Sequence, residues 1–95
     1  EVEEYHHYTI INQTVRSATS VAANFHESRF SRSRKELVGI LGISLREAKE
    51  TEFWLELIND LDLLPHDKLS ELRKEISEII RILFANIKEN KKKLK

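Results

Sequence analysis

The segment between Ser33 and Pro65 constrains the fold more than any other part of this 95-residue chain. At about 100° per residue, its apolar side chains fall on two sides of a helix, roughly 90° or more apart. One side carries Leu37, Leu41, Leu45, Ala48 and Leu55, and the other carries Ile43, Trp54, Leu57 and Leu61. A helix that is apolar on two sides must bury both of them. One side can face the core of the domain, so the second requires a further helix or a neighbouring subunit.

Local signals predict the boundaries of this helix and of two others within one domain, 1–95. Ser33 and Glu36 form a capping box, in which a Ser oxygen and a Glu carboxylate accept first-turn N–H groups. Pro65 ends the second helix because its ring excludes the preceding residue from helical geometry, and Asp67 is expected to cap the third helix. The predicted order is an N-terminal segment without clear periodicity over residues 1–8, then helices over about 9–29, 33–64 and 67–92.

The first helix carries a polar stripe of an unusual kind. The stripe lies opposite apolar residues that recur every three to four positions from Ile11 to Phe25. It consists of Gln13, Ser17, Ser20, Asn24 and Glu27. Because a solvated helix face normally carries Lys and Glu, we expect this stripe to pack closely against another element, with simple exposure as the alternative.

Two glycines lie inside the second helix, at positions 39 and 42. Each costs about 1 kcal/mol relative to alanine in a helix interior. We therefore expect another backbone to cross the helix closely at this point, with a merely tolerated pair of glycines as the alternative.

Composition excludes several classes of protein. Two glycines and one proline are too few for a sandwich or barrel of many short strands, and 34% charged residues is ordinary for a soluble helical domain. The absence of cysteine excludes disulfides, thiol nucleophiles and cysteine zinc sites. No apolar run approaches the roughly 20 residues that span a bilayer, and no secretory signal opens the chain, so the expected location is the cytoplasm.

The chain is neutral, with 16 basic and 16 acidic side chains, but two short segments are basic. They contain Arg29, Arg32, Arg34 and Lys35 before and within the start of the second helix, and Lys91, Lys92 and Lys93 at the end of the third. Arginines beside a helix N-terminus can hold phosphates, so these residues are candidate nucleic-acid contacts. A charged turn that keeps the protein in solution is the alternative. No aromatic residue lies among the tail lysines, so the sequence indicates no stacking platform there.

Pairs of acidic and histidine residues give no convincing catalytic or metal site. Two Glu-x-x-His pairs within residues 3–7 have the spacing of di-iron ligands, but they precede the first periodic helix and lie on no core stripe. Two Glu-x-x-Glu pairs, at 47–50 and 75–78, could bind Mg²⁺, but basic residues intersperse them at the spacing of a solvated face. We therefore expect no enzymatic activity, no cofactor and no metal.

The stretch from Gln13 to Ile58 resembles a known family. Its first helix has an Arg-Ser pair followed by Ser, Asn and Glu, here Arg16, Ser17, Ser20, Asn24 and Glu27. Next come a Ser with basic residues (33–35), the segment 43–48 and the aromatic pair 53–54. This pattern resembles the four-helix bundle family encoded by intervening sequences in bacterial 23S ribosomal RNA genes, and the resemblance spans most of the chain.

The resemblance implies an all-α, up-and-down four-helix bundle to which this chain contributes three helices, with the family's first helix missing ahead of residues 1–8. It also implies a ring-like homopentamer and no established enzymatic activity. A related accessory protein of diversity-generating retroelements binds nucleic acid and a reverse transcriptase through a basic surface. The neutral charge of this chain departs from that basic pattern.

These features predict a noncatalytic, oligomeric assembly or adaptor protein with no small-molecule substrate and no membrane association. The expected bundle or subunit contacts are Ser17, Ser20, Asn24, Glu27, Ile43, Trp54, Leu57 and Leu61. The alternative function is an accessory factor that binds RNA or the ribosome. The expected contacts for that function are Arg29, Arg32, Arg34, Lys35, Lys91, Lys92 and Lys93.

Overall fold

The structure, a computed structural model, describes the backbone of residues 2–94 and the side chains of residues 4–94. All regular secondary structure in this range is helical. The helices are α1 (Val2–Ser28), α2 (Arg34–Asp60) and α3 (His66–Lys92), each of 27 residues. At a rise of about 1.5 Å per residue each is about 40 Å long, and the molecule measures 53 × 23 × 16 Å.

The helix α2 lies between the other two and packs against both in antiparallel fashion. The Cα atoms of α1 and α3 nowhere come within 8 Å of each other. The small core therefore forms along α2. Its buried apolar residues are Val21, Leu41, Ala48, Leu55, Ile58, Leu69, Ile76, Leu83 and Ile87.

The helix α1 begins at Val2, whereas the sequence predicted a start near Thr9 after an aperiodic segment over residues 1–8. The segment contains neither glycine nor proline and is acidic at its start, which suits the positive end of a helix dipole. Tyr5 and Tyr8 are more than two-thirds exposed, at 68% and 67%. These first turns bury little surface, so they leave no periodic apolar pattern in the sequence.

The capping box at the start of α2 is confirmed in its main part. The Ser33 Oγ accepts the N–H of Glu36 at 3.1 Å, and Ser33 has the extended backbone of an N-cap. The Glu36 carboxylate reaches back one residue further than expected and accepts the N–H of Arg32 at 2.9 Å. Both bonds satisfy backbone donors near the helix start.

The turn between α2 and α3 differs from the prediction at both of its ends. The helix α2 ends at Asp60, because Asp62 adopts a left-handed conformation with φ of 55° and interrupts the helix before residue 64. The helix α3 begins at His66 with Pro65 as its N-cap, so Asp67 is not the cap. Asp67 lies in the first turn, where its negative charge complements the helix dipole.

The polar stripe of α1 faces α2. Ser17 is fully buried and its Oγ accepts a hydrogen bond from the Thr51 Oγ1 at 2.8 Å. Ser44 is also fully buried, and its Oγ donates to the Val21 carbonyl at 2.9 Å. These small polar side chains let the two backbones approach closely and satisfy one another at the contact. Of the remaining stripe residues, Gln13, Ser20 and Asn24 are half-buried, and Glu27 is exposed.

The close backbone crossing expected at Gly39 and Gly42 does not form within the described chain. A Cβ atom built at either position would meet nothing within 4 Å. Both glycines therefore face open space on the side of α2 that points away from the core.

Candidate assembly groove and basic end

An apolar groove runs between α1 and α3 on one side of α2. It encloses about 360 Å³ and we call it the assembly groove. Its lining consists of Ala18, Val21, Ala22 and Phe25 from α1 and Ile76, Ile79, Ile82 and Leu83 from α3. The groove exists because the backbones of α1 and α3 both approach α2, whereas their Cα atoms stay more than 8 Å from each other.

The rims of the assembly groove carry large apolar side chains that are exposed to solvent. Phe25 is 45% exposed and Ile82 is 52% exposed. Along α1, Ile11 and Val15 extend the same apolar stripe beyond the groove and are also exposed. This arrangement follows from the choice of face on α1, because the small polar stripe packs on α2 and leaves the larger apolar stripe beside the groove.

The back of α2, which points away from both neighbours, forms a second apolar surface. Ile43, Phe53 and Leu61 are exposed there, and Leu57 is half-buried. Trp54, also predicted on this side, is half-buried, and its Nε1 donates to the Glu50 carboxylate at 3.0 Å. Sequence reasoning missed Phe53, whose ring packs edge-on against Trp54 with centroids 5.0 Å apart.

One arginine joins the two carboxylates that the sequence suggested as a Mg²⁺ pair. The Arg16 guanidinium lies 3.2 Å from the Glu47 carboxylate and also contacts Glu50, and its Nε donates to Gln13 at 2.9 Å. These carboxylates are therefore used in a contact between α1 and α2. The pKa of Glu50 is lowered, most by the hydrogen bond from Trp54 and next by the hydrogen bond from Arg16. The hydrogen bond to Glu50 in turn raises the pKa of Arg16.

The partner of Glu47 and Glu50 could not be found from their own helix. Their spacing and the nearby Arg46 and Lys49 indicated a solvated face, whereas the actual partner is 31 to 34 residues away in the chain. The other pair, Glu75 and Glu78, lies on an exposed surface of α3. Within residues 4–94 no group of three or more histidine, aspartate or glutamate residues converges as a metal site would.

The two basic segments of the sequence lie together at one end of the molecule. The Arg34 guanidinium donates to the Asn90 side-chain oxygen at 2.6 Å, which joins the start of α2 to the last turns of α3. We call this surface the basic end. It comprises Arg29, Arg32, Arg34, Lys35, Lys88, Lys91, Lys92 and Lys93, all exposed.

Within residues 4–94, no carboxylate forms an ion pair with the charges of the basic end. In the part of the chain that the structure describes, the ion pairs within 4.0 Å are those of Arg16 with Glu47 and Glu50. Three acidic residues, Glu27, Glu36 and Glu89, lie near the basic end in the chain, but none forms an ion pair there. The basic end is therefore a concentrated positive surface on a molecule of zero net charge.

None of the helices in the described range is long and apolar enough to cross a membrane. The three helices are instead amphipathic, with exposed charged residues along each of them.

Comparison with known proteins identifies the family. The pattern of the 23S rRNA-intervening sequence protein family matches residues 1–85. A protein of unknown function from the S23 ribosomal protein family of Bacteroides thetaiotaomicron has a similar crystal structure, with a TM-score of 0.79 and 34% identity over 83% of this chain and 70% of that chain. No curated protein matches the chain. The chain belongs to the 23S rRNA-intervening sequence protein family.

Proposed function

We propose that this protein is a noncatalytic assembly subunit that binds a further helix in its assembly groove and other copies of itself on the back of α2. The observation that carries this proposal is the open groove between α1 and α3. Three helices that buried their apolar surfaces against one another would leave no such groove. Here the apolar walls face each other across a gap that suits a fourth helix, as in a four-helix bundle.

The size of the exposed apolar residues supports this assignment. Fully burying a Phe or Ile side chain contributes about 1.5–3 kcal/mol. Phe25 and Ile82 are about half exposed and Ile79 is 38% exposed, so covering these three residues contributes roughly 3 kcal/mol in total. An amphipathic helix is the expected occupant, because one apolar stripe can contact the apolar walls of both α1 and α3.

The back of α2 supports self-association. Phe53 is 55% exposed beside Ile43 and Leu61, and the glycines on the same side leave room for a close approach. Exposed apolar residues of this kind, with polar residues such as Arg46 and Lys49 among them, are typical of protein interfaces. We propose a homo-oligomer, and we take the pentamer implied by the family resemblance as its expected size.

A pair of neighbouring alanines tests whether the assembly groove is occupied. Ala22 lines the groove, whereas Ala23, also exposed, does not. Because the chain has no cysteine, Ala22→Cys and Ala23→Cys each introduce a single thiol. Under the proposal, a thiol reagent labels Ala22→Cys at least about tenfold more slowly than Ala23→Cys, since labelling then requires opening of the covered groove. Equal labelling rates in the folded protein contradict an occupied groove.

Nucleic-acid binding at the basic end is the second candidate function. The contact between Arg34 and Asn90 favours it, because this contact brings both basic segments onto one surface. Neutralised phosphates release counterions, so binding should weaken steeply as salt rises. The neighbour's S23 ribosomal protein family name is compatible with this candidate.

Charge substitutions test the nucleic-acid candidate. Replacing Lys91, Lys92 and Lys93 with alanine should weaken binding to single-stranded RNA and reduce the slope of log affinity against log salt by about 2. The matched control replaces Lys68, Arg73 and Lys74, which removes the same charge away from the basic end. If both triple variants lose affinity equally, the basic end is not the binding surface.

A further inference from the structure

Phe30 stands out at the basic end because it is an exposed aromatic residue among arginines. It lies in the loop between α1 and α2 and is 69% exposed. Arg29 and Arg32 flank it in the sequence, and Arg34, which contacts Asn90, follows four residues later. The basic end therefore combines positive charge with an aromatic ring, although the tail lysines themselves have no aromatic neighbour in the sequence.

The loop holds Phe30 in a defined position. The N–H of Phe30 donates to the Glu27 carbonyl at 3.0 Å, and the Ser31 Oγ donates to the Ser28 carbonyl at 2.7 Å. His26 contacts the Phe30 ring, with centroids 5.3 Å apart and planes inclined at 63°. An exposed ring that is fixed in this way loses little conformational entropy when it binds a ligand.

We propose that Phe30 is a base-stacking residue and that the basic end binds single-stranded nucleic acid. The ring packs against an unpaired nucleobase while Arg29 and Arg32 contact the flanking phosphates. This inference rests on the second candidate function and adds a ligand class and a stacking residue to it. Every base presents a π-face, so binding is tolerant of sequence, whereas the bases of a duplex are stacked on one another and their faces are inaccessible.

The other partner that could cover the Phe30 ring is a second copy of the chain. Its surroundings favour nucleic acid, because Arg29 and Arg32 form no ion pair within the described residues and lie beside further positive charges. A protein contact over this ring would have to desolvate those like charges. Phosphates supply the opposite charge at the required density.

Fluorescence anisotropy with a short labelled oligouridylate, and with a duplex RNA of equal length, tests the proposal. Phe30→Ala should weaken binding of the single strand roughly 5- to 150-fold, and Phe30→Trp should retain it. Binding of the duplex should change little in either variant. Tyr8→Ala is the matched control, since Tyr8 is 67% exposed near the start of α1, far from Phe30, which follows the other end of that helix.

The possible results separate this inference from the function on which it rests. If the wild-type protein binds neither RNA at low salt, the nucleic-acid function fails and the stacking site fails with it. If the Lys91–Lys93 alanine variant loses affinity while Phe30→Ala binds as the wild type does, only the stacking site is overturned. Equal losses on single-strand and duplex RNA also overturn it. A smaller assembly mass for Phe30→Ala with unchanged RNA affinity assigns the ring to a contact between copies instead.

Discussion

Arg16 offsets the repulsion between the Glu47 and Glu50 carboxylates of α2. Glu47 and Glu50 are three residues apart on one helix face, where like charges destabilise the helix. The guanidinium of Arg16 reaches both carboxylates from α1, and Trp54 donates a further hydrogen bond to Glu50. The contact therefore favours one position of α1 along α2, together with the buried bond from Thr51 to Ser17. Because Arg16 is about half exposed, at 46% of its side chain, salt should weaken the contact.

A substitution at Glu50 should change how stability depends on pH. The pKa of Glu50 is lowered, so its carboxylate stabilises the fold above the unfolded-state pKa of about 4.3, and this contribution disappears as the pH falls through the lower folded-state value. Glu50→Gln should therefore unfold at a lower temperature than the wild type at neutral pH, and the difference should shrink below about pH 4. Thermal melts followed by circular dichroism measure both effects. Glu71→Gln, at an exposed position, should match the wild type throughout, and a pH-independent difference for Glu50→Gln contradicts the assignment.

At the scale of the helices, the sequence predicts features that depend on neighbouring residues. It does not predict which distant residues contact each other. The bond from the Glu36 N–H to the Ser33 Oγ depends on residues three positions apart, whereas α2 ends at Asp60, before the break predicted at Pro65. The start of α1 left no periodic pattern, because its first turns are exposed. The contact of Arg16 with Glu47 depends on which faces of α1 and α2 meet, and spacing within either helix does not determine that.

For the candidate sites too, the sequence predicts which residues are charged but not which surfaces they form. Charge clusters placed Arg34 among the phosphate-binding candidates, but only the fold brings it to Asn90 and unites the two basic segments. The assembly groove could not be predicted, because it depends on α1 and α3 staying apart. The sequence did not predict Phe30 as a stacking residue, because it lies in the loop between α1 and α2, far from the tail lysines in the sequence.

The turn between α2 and α3 provides a prediction at this scale. Asp62 holds a φ of 55°, a conformation that glycine adopts without steric cost. Asp62→Gly should raise the free energy of unfolding by roughly 0.5–1 kcal/mol, since the relief of strain outweighs the added freedom of the unfolded chain. Urea denaturation followed by circular dichroism measures the change. The control Glu56→Gly, at an exposed site inside α2, should instead lower the free energy of unfolding by about 1 kcal/mol. If both variants lose stability, Asp62 is not strained.

At the scale of the whole molecule, the protein is too extended to bury much apolar surface alone. Its radius of gyration is 15.4 Å, compared with about 12 Å for a compact domain of this length. A cross-section of 23 × 16 Å leaves most residues within one helix diameter of solvent. The apolar surface that remains exposed is concentrated on two sides, the assembly groove and the back of α2, while positive charge is concentrated at one end. This segregation is typical of a subunit that is completed by its neighbours.

Molar mass measured by light scattering tests this interpretation of the whole molecule. The wild-type protein at micromolar concentration should have the mass of an oligomer, with a pentamer expected. Replacing Ile43 and Phe53 with glutamate should reduce the mass to that of smaller species while circular dichroism still shows the wild-type helix content, because the change places unpaired charges in the proposed interface. Leu94→Glu, at an exposed position off the back of α2, should keep the wild-type mass. A monomeric wild-type protein contradicts self-association, whereas an oligomer that tolerates both glutamates shows that copies meet through another surface, with the assembly groove as the next to examine.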